Sequence, residues 1–239
     1  MIRLDHYLCH ESLLTRKQAK TAIRSGRVCI GEQIETNPDR KIDEYSDIVF
    51  LDGKQLTFQK YRYYYLDKPL GCVTATEDRM EKTVMDLFPE EIRKQGIFPV
   101  GRLDKHTSGL LLLTNDGDFA HRIISPNSLI PKRYIAVVSG QLCQEDTDAF
   151  AKGILLEDGT RCLPATLKIL GDNSAEVTLY EGKYHQVRRM FASRGKPVSS
   201  LRRISIGNLV LPDECGIGCF HEIPPKDLCT LFNGFSLEK

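Results

Sequence analysis

Residues 101–118 read GRLDKHTSGLLLLTNDGD and join a basic residue, a carboxylate and a tight turn to an apolar run. Arg102 and Asp104 stand two apart, so on extended backbone their side chains point to the same side and can address one ligand together. Asp104 is therefore the leading catalytic candidate. Gly109 and the leucines at 110–113 read as a buried strand that anchors this loop on rigid structure, with His106 and Thr107 shaping the loop between. An Asp in a loop also caps helices and closes turns, and the tetrapeptide GRLD alone discriminates poorly. The flanking chain has to decide.

Around this stretch, strand-like and short helical runs alternate without the regular spacing of a parallel βαβ fold. Tyr63, Tyr64, Tyr65 and Leu66 open a strand. Residues 132–138 form another, residues 145–152 a helix, and 165–170 with 175–179 a hairpin around Gly171, Asp172 and Asn173. This pattern predicts an α+β domain over 63–239, with a mostly antiparallel mixed sheet and flanking helices. Ahead of it, residues 1–59 read as a separate small α/β module. Leu4, Leu8, Leu13 and Leu14 make a short helical stripe, Thr15 caps a second helix that runs to Gly26, and Val28, Ile30, Ile34 and 48–51 follow as short strands with turns at Gly31 and at Asp52, Gly53. Residues 57–62 form a polar, basic connector.

With 33 Lys and Arg against 32 Asp and Glu, the formal net charge is only +1. Any contact with nucleic acid must then come from local clustering. One cluster lies on the second helix, where Arg16, Lys20 and Arg24 recur every four positions on one face, with Lys17 beside them and Arg27 at the exit. Another comprises Lys183, Arg188, Arg189, Arg194, Lys196, Arg202 and Arg203, with Glu181 the only acid near it in sequence. Eight cysteines sit mostly in apolar strand-like patterns, without a signal peptide or an apolar run near eighteen residues. A soluble, reducing, cytoplasmic setting is the expectation, with no membrane contact. The pairs His6, His10 and Cys215, Cys219 each lack two further ligands at zinc spacing, so no metal is expected.

Two regions resemble known families. The run RLDHYLCHESLLTRKQAKTAIRSGRVCIGEQI, from residue 3, resembles the S4 RNA-binding module, which grips structured RNA through its second helix and the turn after it. In the larger part, KPLG at 68–71, the stretch 101–118, Lys132 to Tyr134 and EGKYHQVRRM at 181–190 resemble, in order and spacing, the motifs of the RNA pseudouridine synthases. The run from Tyr184 to Val187, with the S4-like module in front, is most similar to the branch that modifies small-subunit (16S) ribosomal RNA.

The resemblance implies isomerisation of uridine to pseudouridine, a reaction in which nothing is oxidised and no group is donated, so no cofactor is expected. It assigns Asp104 the role of nucleophile or base at the ribose, Arg188 that of the guanidinium opposite it, and Tyr134 that of the ring stacked on the extruded uracil. Arg102 would fill the space the base vacates. Arg16, Lys17, Lys20, Arg24, Arg27, Lys183 and Arg189 would contact RNA phosphates. His185 reads as a structural or hydrogen-bonding residue beside Gln186, and Arg133 departs from the threonine of close relatives. The implied partner is small-subunit ribosomal RNA or an assembly intermediate, bound by a monomer. Alternatives are action on large-subunit RNA and a noncatalytic RNA-binding or assembly factor. A hydrolase built on Ser108 with His121 or His185 lacks the context of a nucleophile elbow.

Overall fold

A capping box starts the helix that organises the first part of the chain: Gln18 N–H donates to Thr15 Oγ1 while Thr15 N–H donates to Gln18 Oε1. The computed structural model describes residues 1–12 and 14–232. Leu13, counted above in an apolar stripe, lies outside them, as does 233–239 of the larger domain. The described chain forms two compact units, one of residues 1–62 with 89–97, the other of 63–88 with the rest from 98 onward.

In the first unit the helices Leu4–Glu11 and Arg16–Arg24 bury Leu4, Tyr7, Leu8, Ala19, Ala22 and Ile23 against Val28, Ile42 and Val49. Gly26, at φ +74°, releases the chain from the second helix into the strand Val28–Ile30. Asp52 and Gly53 both take positive φ, the two-residue turn that suits the twist of a hairpin, and join Val49–Leu51 to Lys54–Leu56. The four-stranded antiparallel sheet runs Gln33–Ile34, Val28–Ile30, Val49–Leu51, Lys54–Leu56. Residues 89–97, read from sequence as part of the larger domain, group with this first unit; they contain the short helix Glu90–Arg93, which buries Ile92.

The second unit is a nine-stranded sheet. Its main path is Thr166–Gly171, Ser174–Leu179, Lys132–Val138, Val198–Ile206, Ser108–Thr114, Tyr63–Lys68, Phe220–Glu222. Leu209–Val210 adds to Val198–Ile206, and Phe98–Val100 to Ser108–Thr114. Among these strands every pairing is antiparallel except one. Ser108–Thr114 meets Val198–Ile206 in parallel, with Arg203 opposite Gly109. The backbones come so close there that a Cβ on Gly109 would lie 2.1 Å from the Arg203 carbonyl oxygen, at φ +100°. Only glycine fits.

The helices Gln144–Lys152 and Gln186–Ala192 cover one face, with Phe150, Met190 and Phe191 packed on Ala136, Val177 and Leu201. Phe150 and Phe191 ring centroids are 4.9 Å apart. Asp146, fully buried in the first turn of Gln144–Lys152, binds Lys196 and, at 3.1 Å, Arg194. Burial alone would raise its pKa, but hydrogen bonds from Lys196, the Cys143 amide and Arg194 outweigh that and hold it down at about 2.

A carboxylate whose pKa is depressed by folding adds stability above its unfolded value, about 4, and loses it as pH falls through the folded one. Urea denaturation should therefore show stability falling between about pH 4 and about pH 2. Asp146→Asn should be less stable at neutral pH and show a flatter decline in that window; an unchanged slope would mean that Asp146 contributes nothing to acid sensitivity.

Candidate active site

The loop that presents Asp104 is framed by a buried lysine. Tyr63–Lys68 pairs with Ser108–Thr114 so that Lys68 stands opposite Gly109. Its side chain is wholly buried, and Nζ donates to the carbonyls of Pro69 at 3.0 Å, Asp104 at 3.2 Å and Thr107 at 3.0 Å. An ammonium has three protons to give, and each finds an acceptor. Burial lowers its pKa, against the opposing pull of Cys72 and Asp104. The segment after Lys68 continues the frame. Gly71 N–H donates to the Lys105 carbonyl at 2.9 Å, and Thr74 Oγ1 both donates to the Leu103 carbonyl at 2.7 Å and accepts from its amide at 3.2 Å. KPLG is thus the scaffold on which 101–107 is folded. At the far end of 101–118, Asp116 caps the helix Gly117–Ile124 through Phe119 N–H and accepts a hydrogen bond from Tyr63 Oη at 2.7 Å.

Asp104 opens on a cavity of about 150 Å³ whose walls include Arg102, Tyr134, Lys132, Lys183 and His185. Four of the site residues singled out from sequence, Arg102, Asp104, Tyr134 and Lys183, are therefore brought together. Lys132 and Tyr134 alternate onto the cavity face, whereas Arg133 turns to the other, where Nε donates to Ser205 Oγ at 2.7 Å and the guanidinium lies 3.7 Å from Glu176.

Arg188 is not opposite Asp104. Its guanidinium donates to the carbonyls of Val198 at 3.1 Å and His106 at 2.6 Å, so it braces the loop two residues beyond the carboxylate. The group facing Asp104 is His185, with Nε2 3.3 Å from Oδ1. Protonated on that nitrogen, the imidazole donates to the carboxylate. Two features place it there. His185 sits at φ +47°, in the left-handed region, immediately before the helix Gln186–Ala192, which swings its ring out of the helical track. Tyr184 stacks on its outer face, centroids 3.9 Å apart, and is itself largely exposed at 74%. Buried Glu181 and Gln186 lock the turn: Gln186 Nε2 donates to Glu181 Oε1 at 2.7 Å, and Gln186 Oε1 accepts from Lys183 N–H at 2.9 Å. The spacing of a motif does not reveal a backbone flip of this kind.

The second basic cluster is far less bare than its sequence. Lys183 pairs with its neighbour Glu181, and acids distant along the chain reach four more: Arg189 pairs with Asp158 at 2.5 Å, Arg194 and Lys196 with Asp146, and Arg202 with Asp67 through two hydrogen bonds of 2.7–2.8 Å. Reading Glu181 as its only nearby acid held along the chain and not in space. On the first unit, Arg27 is closed by a bidentate pair with Asp52 and Lys20 lies 4.0 Å from Asp5, whereas Arg16, Lys17 and Arg24 stand exposed. Among the described residues no group of three or more metal-ligating side chains converges, no helix is long and apolar enough to cross a membrane, and all eight cysteines are free.

Residues 62–193 match the model of the RNA pseudouridylate synthases, and residues 2–48 that of the S4 domain. The chain belongs to the RNA pseudouridylate synthase family. The ribosomal small subunit pseudouridine synthase A of Pseudomonas aeruginosa is 36% identical, over 96% of this chain and 100% of that one. An uncharacterised RNA pseudouridine synthase of Bacillus subtilis, YtzG, is 35% identical over 96% and 98%. A crystal structure of a pseudouridylate synthase matches with a TM-score of 0.68 at 35% identity, over 97% of this chain and all of that one. The activity of such an enzyme is isomerisation of uridine within RNA.

Replacing Lys68 by Met should strip the Pro69, Asp104 and Thr107 carbonyls of their common donor. Leaving buried acceptors unmet costs about 1–3 kcal/mol each, so the unfolding free energy read by urea denaturation should drop by at least about 2 kcal/mol, with loss of turnover. A variant as stable as the parent would remove Lys68 from its framing role.

Proposed function

We propose that this enzyme converts a specific uridine of small-subunit ribosomal RNA to pseudouridine, with Asp104 acting directly on the ribose. What supports the substrate is similarity along almost the whole chain, S4 unit included, to the Pseudomonas enzyme whose name carries that substrate. What supports the residue is its position: a carboxylate on a braced loop, beside a tyrosine, at the mouth of a cavity suited to an extruded base.

In this reading the duplex or loop surrenders the target base, at a cost of a few kcal/mol, and Arg102 occupies the space it leaves. Tyr134 takes the ring on its face and stands where its phenol can relay the C5 proton. Asp104 either attacks the ribose carbon or removes the adjacent ribose proton, and both routes use it as a carboxylate, with His185 Nε2 3.3 Å from its Oδ1. Arg188 acts through the loop it braces. Residues 1–59 serve as the RNA-positioning module and 63–239 as the catalytic domain of a cytoplasmic monomer, with Arg16, Lys17 and Arg24 as the most open phosphate contacts of the helix Arg16–Arg24.

The decisive experiment is to incubate the purified protein with unmodified small-subunit and large-subunit ribosomal RNA and map pseudouridine by chemical blocking and primer extension. A single new stop on small-subunit RNA is expected. Asp104→Asn should erase it while RNA affinity stays within a few fold. A stop confined to large-subunit RNA would overturn the substrate, and turnover by Asp104→Asn would overturn the residue.

A further inference from the structure

On the strand wall of the Asp104 cavity stand Lys132 and Arg203, and among the described residues no carboxylate is bound to either. Lys132 and Tyr134 share one face of the strand Lys132–Val138, and Arg203 is the cross-strand partner of Tyr134. All three line the cavity with Asp104. Arg203 is only 4% exposed; its Nε donates to the Leu110 carbonyl at 2.7 Å, and its Nη2 is buried with no hydrogen-bond partner. Lys132 Nζ donates to the Ile130 carbonyl at 2.9 Å.

Keeping like charges together in such a place is unfavourable. Burial, and then the charge of Arg203, pulls the Lys132 ammonium down to about 8. Of the surrounding cations, Lys183, Arg189, Arg194, Lys196 and Arg202 each have an acid, while Arg102 is exposed and Arg188 is bound by two carbonyls. A buried charge left without a counter-charge destabilises a fold, so retaining two on one wall fits a ligand that brings negative charge with it.

Resting on the function proposed above, we propose that Lys132 and Arg203 bind the carbonyl oxygens of the target uracil and hold the negative charge that the base carries when it leaves the ribose. That charge has a definite origin. When the bond from N1 to the ribose carbon breaks, its electron pair stays on N1 and spreads onto O2 and O4. The ribose carbon meanwhile bonds to the Asp104 carboxylate, or forms a double bond to its neighbour as that carbon loses a proton to Asp104. When C5 attacks the same ribose carbon, Asp104 is released, or the neighbouring carbon takes its proton back. Loss of the C5 proton and uptake of one at N1 then give pseudouridine. The anion exists only between these bond changes, and cations already in place stabilise it selectively.

The test uses the full chain and an RNA that the unaltered enzyme modifies, carrying uridine, 2-thiouridine or 4-thiouridine at the target. Sulfur is a poorer acceptor than oxygen, so one thio-RNA should slow the parent enzyme. Lys132→Met should lose about 10²-fold in single-turnover rate, the scale for one donor to a developing oxyanion, with unchanged RNA affinity and a melting temperature no lower than that of the parent. In it the thio penalty should largely vanish, because enzyme contact and substrate atom belong to one interaction. Lys132→Arg should restore much of the rate. If Lys132→Met does not fold, Arg203→Lys, which keeps a cation but withdraws the fork, takes its place in the same comparison. An unchanged rate, or thio penalties that simply multiply with the substitution, would overturn the assignment. If the parent enzyme modifies neither ribosomal RNA, the functional reading itself fails and this inference with it.

Discussion

The site depends on one buried ammonium. Lys68 has no solvent to turn to, and its three protons are matched by three carbonyls, two of which belong to the loop between Asp104 and Thr107. A lysine is rarely buried without compensation, because its charge is strongly hydrated in water. Here the compensation is the loop itself. The lysine is satisfied only when the loop is folded correctly, and the loop carbonyls are satisfied only when the lysine is in place. Gly109 lets the neighbouring parallel strand approach closely enough to complete the arrangement.

Charge is used in two ways across the larger unit. Several of its cations are tied to acids that arrive from other elements, as Arg202 is to Asp67 and Arg194 to Asp146. Lys132 and Arg203 are treated differently, left beside the cavity with backbone carbonyls as their bound partners. Positive charge is thereby left on the wall of the cavity in which the proposed function seats the target base.

Much was legible in the chain because it rests on local rules. Thr15 and Gln18 cap a helix through atoms three residues apart, Asp52 and Gly53 make the turn their conformational freedom allows, and the alternation in 174–179 announces a half-buried strand. Asp104 was legible for a similar reason, since the loop and the strand behind it are one continuous stretch. The partner of Asp104 was not. Arg188 lies on the helix Gln186–Ala192 and reaches two carbonyls, while the left-handed backbone at His185 sends the imidazole to the carboxylate.

Sequence alone therefore pointed to many of the elements and to the α+β character, because helix caps, turns and periodicity act over a few residues, and its motifs carried the two family resemblances and a catalytic candidate. Only the tertiary structure decided which cations remain unpaired, which side chain faces Asp104, that 89–97 groups with the first unit, and that Lys68 is a structural keystone. Those outcomes turn on which groups meet across separations of tens of residues or more. Burial then makes each such meeting energetically important, since a charge removed from water must find its partner inside the fold.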